Sequence, residues 1–299
     1  MDENNNKFLF VINPISGGLD KDNVVQMINE FCKKHNLEFK IYYTTGEKDI
    51  ELIEQHIKEF DPKIIIAGGG DGTVNLVAQL ILNSDKILGI LPTGSGNGLA
   101  KDLKIPHVNL KSALDLLINH KVKKLDTLTA NGRYFMHICD LGFNAHVVRL
   151  FNKTKKRGLL SYIRFSVREF FKYKTFRYHI TTDKGEYKGL AFMITIANSN
   201  QFGSNLTINP DGKVDDGEFE IIIIKRFPRN QILGILIRLL TNKINFSPYS
   251  IILKAKEAVI KTKKGKTLQY DGEIFGKIRK AEIKINPGSL KVITPVEGA

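Results

Sequence analysis

Four glycines surround one carboxylate in "KIIIAGGGDGTVN", residues 63–75. An apolar run ends there and a helix reads as beginning. Glycine lets the backbone turn sharply and lets a ligand approach with no Cβ in the way. The N–H groups that open the helix then face an anion. Asp71 repels phosphate unless a cation lies between them, which implies Mg²⁺. Alternatively its carboxylate accepts the proton of an attacking hydroxyl. "FVINPISGG" and "ILPTGSGNGLAKDL" repeat the device. Three such loops at one sheet edge can surround a nucleotide polyphosphate through backbone dipoles. The usual nucleotide motifs fail: there is no G-x-x-x-x-G-K-[ST], and a G-x-G-x-x-G count from Gly68 ends on Thr73. A plain helix cap with glycines for a tight turn is the bland alternative for a single loop.

Three other stretches carry charge at chemical spacing. "NPDGKVDDGE" offers carboxylates and carbonyls close enough for a hard cation, or is only a polar turn. "LQYDGEIF" holds Asp271 and Glu273. If its strand continues, alternation places both on one side, and close carboxylates raise one pKa, as a proton acceptor needs. Residues 151–177 hold nine basic groups and one acid. There Leu160, Ile163, Val167, Phe170 and Phe171 fall on one helical face, with Arg164, Arg168 and Lys172 elsewhere. Such a helix suits an anionic membrane interface, or packs on a sheet with a solvated charged face.

The elements that must position these residues fall into two patterns. The first half alternates: strands at "KFLFVINP", "EFKIYYTT", "KIIIAGGG" and "KILGILP", with helices at about 23–35, 49–60, 73–82, 98–103 and 110–120. Fully apolar strands alternating with helices predict an α/β unit with a parallel sheet covered on both faces. Near Leu125 the pattern changes. From "RYFMHICDLGF" to "KAEIKINPGSLKVITP" the segments are short and β-rich, as in an antiparallel sandwich, interrupted by helices at about 159–173 and 230–241. The expected division is 1–127 for an α/β nucleotide domain and 128–299 for a β-sandwich with helical insertions. The final strand can return to the first domain.

The formal charge of +14 is uneven. Residues 1–127 hold 15 Lys, no Arg and 17 acids, whereas 128–299 hold 30 basic groups against 14 acids. A basic half faces nucleic acid or an anionic membrane. No aromatic RNP pattern appears, so nucleic acid is not expected. The polar start and two distant thiols, Cys32 and Cys139, point to a reducing, cytoplasmic compartment.

In order along the chain, "NPISGG" (13–18), "GGGDGTVN" (68–75), "PTGSGN" (92–97), "PDGKVDDGEFE" (210–220) and "YDGE" (270–273) resemble the diacylglycerol kinase and sphingosine kinase superfamily, most like its soluble bacterial members. The resemblance implies an ATP- and Mg²⁺-dependent kinase with an α/β nucleotide domain and a β-sandwich lipid domain. It places Asn13, Pro14, Ile15, Ser16, Gly17, Thr45, Gly69, Gly70, Asp71, Gly72, Thr73, Val74, Asn75 and Ser95 around the nucleotide. It puts Asp71 and Asp126 in the catalytic network. A structural Mg²⁺ would be held by the Asp216 carboxylate and the carbonyls of Lys213 and Glu218. The general base would come from Asp271–Glu273, with Asp71 a competitor.

Two departures from the family pattern affect the acidic network and the lipid acceptor. Gly98 stands where the fourth-strand loop usually has aspartate, and Asn144 stands where "GFNAHVV" usually has one. The expected reaction is transfer of the γ-phosphoryl of ATP to a hydroxyl of diacylglycerol or a related lipid alcohol such as a sphingoid base. The competing readings are an NAD kinase-like phosphotransferase and a non-catalytic nucleotide- or lipid-binding regulatory protein. The expected setting is cytoplasmic, with peripheral contact to an anionic membrane. The oligomeric state is left open, a homodimer included.

Overall fold

The computed structural model describes residues 6–17, 21–154, 159–199, 208–209, 212–241 and 243–296. Gly18 of the first loop, Pro210 and Asp211, and "KKR" at 155–157 lie outside the described residues. The chain forms two compact units. One runs up to Leu125 and resumes at Gly288; the other is Asp126–Pro287. The closing segment therefore groups with the first unit, so the expected second domain of 128–299 ends at Pro287.

The first unit contains β1 (Lys7–Ile12), α1 (Lys21–Lys34), β2 (Glu38–Tyr43), α2 (Asp49–Phe60), β3 (Ile64–Gly69), α3 (Asp71–Ile81), β4 (Ile87–Pro92), α4 (Gly98–Asp102), α5 (Leu110–Leu116) and the start of β5 (Lys121–Ala130). The strands pair in parallel in the order β2-β1-β3-β4. β3 is buried along its whole length, which is why it reads as an unbroken apolar run rather than an alternating one. α2 is bounded by left-handed residues, Lys48 before it and Asp61 after it. Phe10, Ile28, Ile66, Leu91 and Leu114 meet in its core. Each such side chain, fully withdrawn from water, contributes roughly 1.5–3 kcal/mol.

The second unit contains the rest of β5, β6 (Arg133–Phe135), β7 (Ile138–Gly142), α6 (Phe143–Phe151), α7 (Leu159–Phe170), β8 (Phe176–Thr182), β9 (Gly185–Ala197), β10 (Phe219–Lys225), α8 (Ile232–Leu240), β11 (Ser250–Ala255), β12 (Glu257–Tyr270) and β13 (Glu273–Thr294) up to Pro287. Its pairs β11-β10-β9-β7-β12-β13 are antiparallel. Alternation gives the strands two apolar faces. Leu141, Ile194, Ile221, Ile260 and Leu268 fill one. Ile138, Met193 and Ile222 fill the other, with Phe143 of α6, Phe170 of α7 and Ile235 of α8 packed against them.

Three local expectations change. "RYFMHICDLGF" is two strands broken at Met136–His137, and its Phe143 opens a helix, α6. The break has a physical cause: the Asp271 carboxylate takes the N–H groups of Met136, His137 and Ile138. Asp271 and Gly272 form a two-residue hairpin turn between β12 and β13, with Tyr270 opposite Glu273 and φ of +45° and +88°. Positive φ at both positions is the type I′ geometry that favours Asp-Gly. The strand does not continue through the turn, so alternation does not relate Asp271 to Glu273.

Candidate active site

In the first unit the loops that leave β1, β3 and β4 lock onto one another backbone to backbone. Asn13 N–H donates to the Gly68 carbonyl at 2.8 Å, and Gly94 N–H to that of Gly69 at 3.1 Å. The hydroxyls of Ser16 and Thr93 meet at 3.3 Å. Two glycines are required by these approaches. A Cβ on Gly94 would lie 2.3 Å from Gly70 Cα, and one on Gly17, at φ +62°, 2.1 Å from the Thr93 carbonyl oxygen. Asn97, left-handed at φ 55°, stitches the third loop: its side chain accepts from Gly94 N–H and donates to the carbonyls of Gly94 and Pro92. Thr93 and Asn97 were not singled out in the sequence, although both fall within the "PTGSGN" stretch.

Gly70 and Gly72 are different. A Cβ on Gly70 meets only Gly94 Cα, at an ordinary 3.5 Å, and one on Gly72 meets nothing within 4 Å. These open glycines sit at the first turn of α3, where the Thr73 and Val74 N–H groups donate to the Gly70 carbonyl at 3.0 and 3.1 Å and those of Asp71 and Gly72 precede the first intrahelical acceptor. This is the part of the loop cluster built to leave room. The Thr73 and Val74 side chains are buried. Pro14, Ile15, Gly17, Gly72 and Ser95 are exposed, and Asn13, Ser16, Gly70 and Asn75 half-buried.

Asp71, the first residue of α3, reaches the next loop: its Oδ1 accepts the Leu99 N–H at 3.3 Å. A Cβ on Gly98 would lie 3.5 Å from that oxygen. A carboxylate at 98 would thus stand beside Asp71, and glycine there leaves Asp71 without that like-charged neighbour. Thr45 is held by Asp49, whose carboxylate accepts Thr45 N–H at 2.9 Å, Gly46 N–H at 2.8 Å and the Tyr42 hydroxyl at 2.7 Å. Burial alone would raise the Asp49 carboxyl; these hydrogen bonds outweigh it and hold it below the usual range.

In the second unit Asp271 is an anchor. Its Oδ1 accepts from His137 and Ile138, its Oδ2 from Met136, at 2.9–3.1 Å. The Glu273 side chain is exposed and makes no hydrogen bond or ion pair among the described residues. The two carboxylates therefore have separate situations, one committed to backbone and one exposed. Asp126, 4% exposed, clamps the 213–218 loop: its N–H donates to the Val214 carbonyl at 2.7 Å and its Oδ2 accepts Gly217 N–H at 2.6 Å.

That loop is where a cation was expected. Among the described residues no three His, Cys, Asp or Glu side chains gather as a metal group. The expected set instead joins one carboxylate, Asp216, to the carbonyls of Lys213 and Glu218, all hard oxygen donors on a tight turn. Its donor chemistry fits Mg²⁺ or Ca²⁺. Lys254 Nζ, 3.3 Å from the Asp216 carboxylate and 3.3 Å from Glu220, supplies positive charge at the same place.

One buried carboxylate was not anticipated. Asp140, fully buried on β7, accepts from Thr195 Oγ1, Asn144 Nδ2 and Gln269 Nε2, each at 2.5 Å. The sequence signal was a lone polar residue in each of the apolar stretches "ICDLG" and "MITIA"; "TLQY", with Thr267 beside Gln269, carries no such signal. Asn144 Oδ1 in turn accepts the Tyr162 hydroxyl of α7 at 2.9 Å. Burial pushes the Asp140 carboxyl up to about 6, against the three hydrogen bonds that favour its charged form. The unfolded chain releases this proton near pH 3.9, so its contribution to stability is full below that pH and is lost as pH rises through about 6. The loss amounts to about 3 kcal/mol. Urea unfolding of the parent and Asp140→Asn between pH 3.5 and 7.5 should show the parent falling relative to the variant across that window. Parallel pH profiles would refute the assignment.

Residues 7–130 match the family described as diacylglycerol kinase catalytic domain. Residues 138–294 match the YegS C-terminal NAD kinase beta sandwich-like domain. The chain is 27% identical over 275 residues to the diacylglycerol kinase of Bacillus subtilis (strain 168), covering 89% of each. It is 29% identical over 248 residues to the diacylglycerol kinase of Staphylococcus haemolyticus (strain JCSC1435), covering 81% of this chain and 74% of that one. A solved structure from Bacillus anthracis str. Sterne superposes with a TM-score of 0.80 at 25% identity, over 97% of both chains.

Proposed function

The chain belongs to the lipid kinase family that joins a diacylglycerol kinase catalytic domain to a YegS-type β-sandwich, and on that basis we propose that it transfers the γ-phosphoryl of ATP to a hydroxyl of diacylglycerol or a related lipid alcohol. The observation that carries the proposal is the cluster of three mutually locked loops, in which Gly70 and Gly72 leave room before α3. Backbone N–H groups there bind phosphate oxygens without side-chain cations. Asn13–Gly17, Thr45, Gly69–Asn75 and Ser95 make up the nucleotide site. Glu273 takes the proton of the lipid hydroxyl, and the Asp271 anchor holds the turn that presents it. Bound Mg²⁺ offsets the charge of the transferring phosphoryl group; Asp71 is the residue that would hold it at the nucleotide, and Lys213, Asp216 and Glu218 would hold a structural ion.

The acceptor is membrane-borne in this reading. α7 and the turn that follows it leave Ile163, Val167 and Phe171 at 42%, 44% and 50% exposure, four residues apart, each followed by exposed Arg164, Arg168 or Lys172. Phe170, expected on the same face, is instead buried in the aromatic cluster with Phe143, Phe192 and Phe227. An exposed apolar row edged by cations suits the interface of an anionic bilayer. No helix among the described residues is long and apolar enough to cross a membrane.

One experiment tests both parts. The protein is incubated with γ-labelled ATP and vesicles carrying diacylglycerol, a sphingoid base, ceramide or a polyprenol, in neutral or anionic lipid. Label should enter the organic phase for at least one alcohol, faster on anionic vesicles and with a salt-sensitive advantage. No organic label from any alcohol, or labelling of NAD alone, would overturn the kinase reading. Equal rates on neutral and anionic vesicles would overturn the interfacial one.

A further inference from the structure

We propose that Asp140 is a positioning residue for the Asp271–Glu273 turn, acting through Gln269, and that the same hydrogen-bond chain ties this turn to α7. The proposal rests on the reading of that turn as the seat of the proton acceptor.

Thr195, Asp140 and Gln269 stand directly opposite one another on β9, β7 and β12. All three are buried, on the sheet face that α6, α7 and α8 cover. A polar row inside an apolar layer is costly unless its members satisfy one another. Here one carboxylate accepts from all of them. The consequence for Gln269 is orientational. Its Nε2 donates to Asp140, so its Oε1 is the atom left to accept the Gly272 N–H, which it does at 2.9 Å. With the amide reversed, an NH₂ group would face the Gly272 N–H, donor against donor. Gly272 is the second residue of the turn, and Glu273 follows it.

The other branch obeys the same logic. Asn144 Nδ2 donates to Asp140, which leaves its Oδ1 for the Tyr162 hydroxyl. Tyr162 lies on α7, one residue before Ile163 of the exposed apolar row. Hydrogen bonds thus run from α7 through Asn144, Asp140 and Gln269 to the turn, all within one unit. Asn144, where the family resemblance expects an aspartate, donates to the carboxylate at 140, so this hydrogen-bonded pair holds one negative charge.

An asparagine at 140 offers one oxygen to three donors, so the Gln269 amide loses its fixed sense. The test compares the full-length parent, Asp140→Asn, and the exchanged pair Asp140→Asn with Asn144→Asp. It measures amide hydrogen exchange by segment, and kcat and KM for ATP with the lipid alcohol that accepts label. In Asp140→Asn, exchange should speed at least tenfold at 268–275 and in α7, with β1–β4 unchanged. Turnover should fall at least tenfold, since misplacement of a reacting group by about 1 Å can cost that much or more, with KM for ATP within twofold. The exchanged pair should recover most of both losses. Unchanged exchange at the turn, a uniform rise across the second unit, or wild-type turnover despite a loosened turn would each overturn the proposal. If Asp140→Asn fails to fold, the exchanged pair decides alone, and a folded pair with a loose turn and poor turnover refutes it. A parent that labels no lipid overturns the kinase reading, and the exchange measurement then decides the positioning claim by itself.

Discussion

Glu273→Gln should retain its fold and ATP affinity and lose turnover by about 10²-fold or more, the scale expected when a general base is removed. The exposed Glu273 carboxylate has no partner among the described residues, so an isosteric amide disturbs no contact. Asp271→Asn should behave differently. Asp271 uses both carboxylate oxygens to hold three backbone N–H groups of residues 136–138. An amide keeps one acceptor oxygen and turns a donor toward the other N–H, at a cost of about 1–3 kcal/mol. Its signature is a lowered melting temperature, with any loss of turnover following from the displaced turn. Both quantities are measured with urea or thermal unfolding beside single-turnover kinetics. If Glu273→Gln keeps near-full turnover while a folded Asp71→Asn is dead, the base is Asp71.

Gly70→Val should weaken ATP binding by an order of magnitude or more, at least about 1.4 kcal/mol, in a protein that stays folded. The expectation follows from what surrounds the glycine. A Cβ at Gly70 meets protein only at 3.5 Å, and its backbone is extended at φ −93°, which a β-branched residue accepts. The added side chain therefore projects into the space that the proposed function gives to the phosphates. Gly94→Ala is the counterpart. Its Cβ would fall 2.3 Å from Gly70 Cα and 2.7 Å from Gly70 N, both backbone atoms that cannot swing aside. That variant should lose stability, by about 1–3 kcal/mol. Calorimetric titration with ATP and thermal unfolding separate the two. Unchanged ATP affinity in folded Gly70→Val would remove the phosphates from this loop.

The sequence by itself determined the alternation of strands and helices in the first unit, because β3 and its neighbours are buried on both faces and must be apolar throughout. It also determined the positions of the glycine loops, since tight turns after a strand need residues without Cβ, and α2 even at its ends, Asp49 and Phe60. Which glycine does what was decided by tertiary structure. Gly94 and Gly17 serve the contact between loops, whereas Gly70 and Gly72 stand open, and spacing along the chain carries no information about a partner loop. The same holds for Asp271. Asp-Gly announces a turn, but its carboxylate is committed to residues 136–138, some 135 positions earlier, and only the folded chain brings them together. Asp140, Thr195 and Gln269 are three unrelated polar letters until the register of β7, β9 and β12 sets them in one row. Burial then gives them their meaning, because a buried carboxylate must find donors and polar groups in an apolar layer are arranged by the acceptor they share.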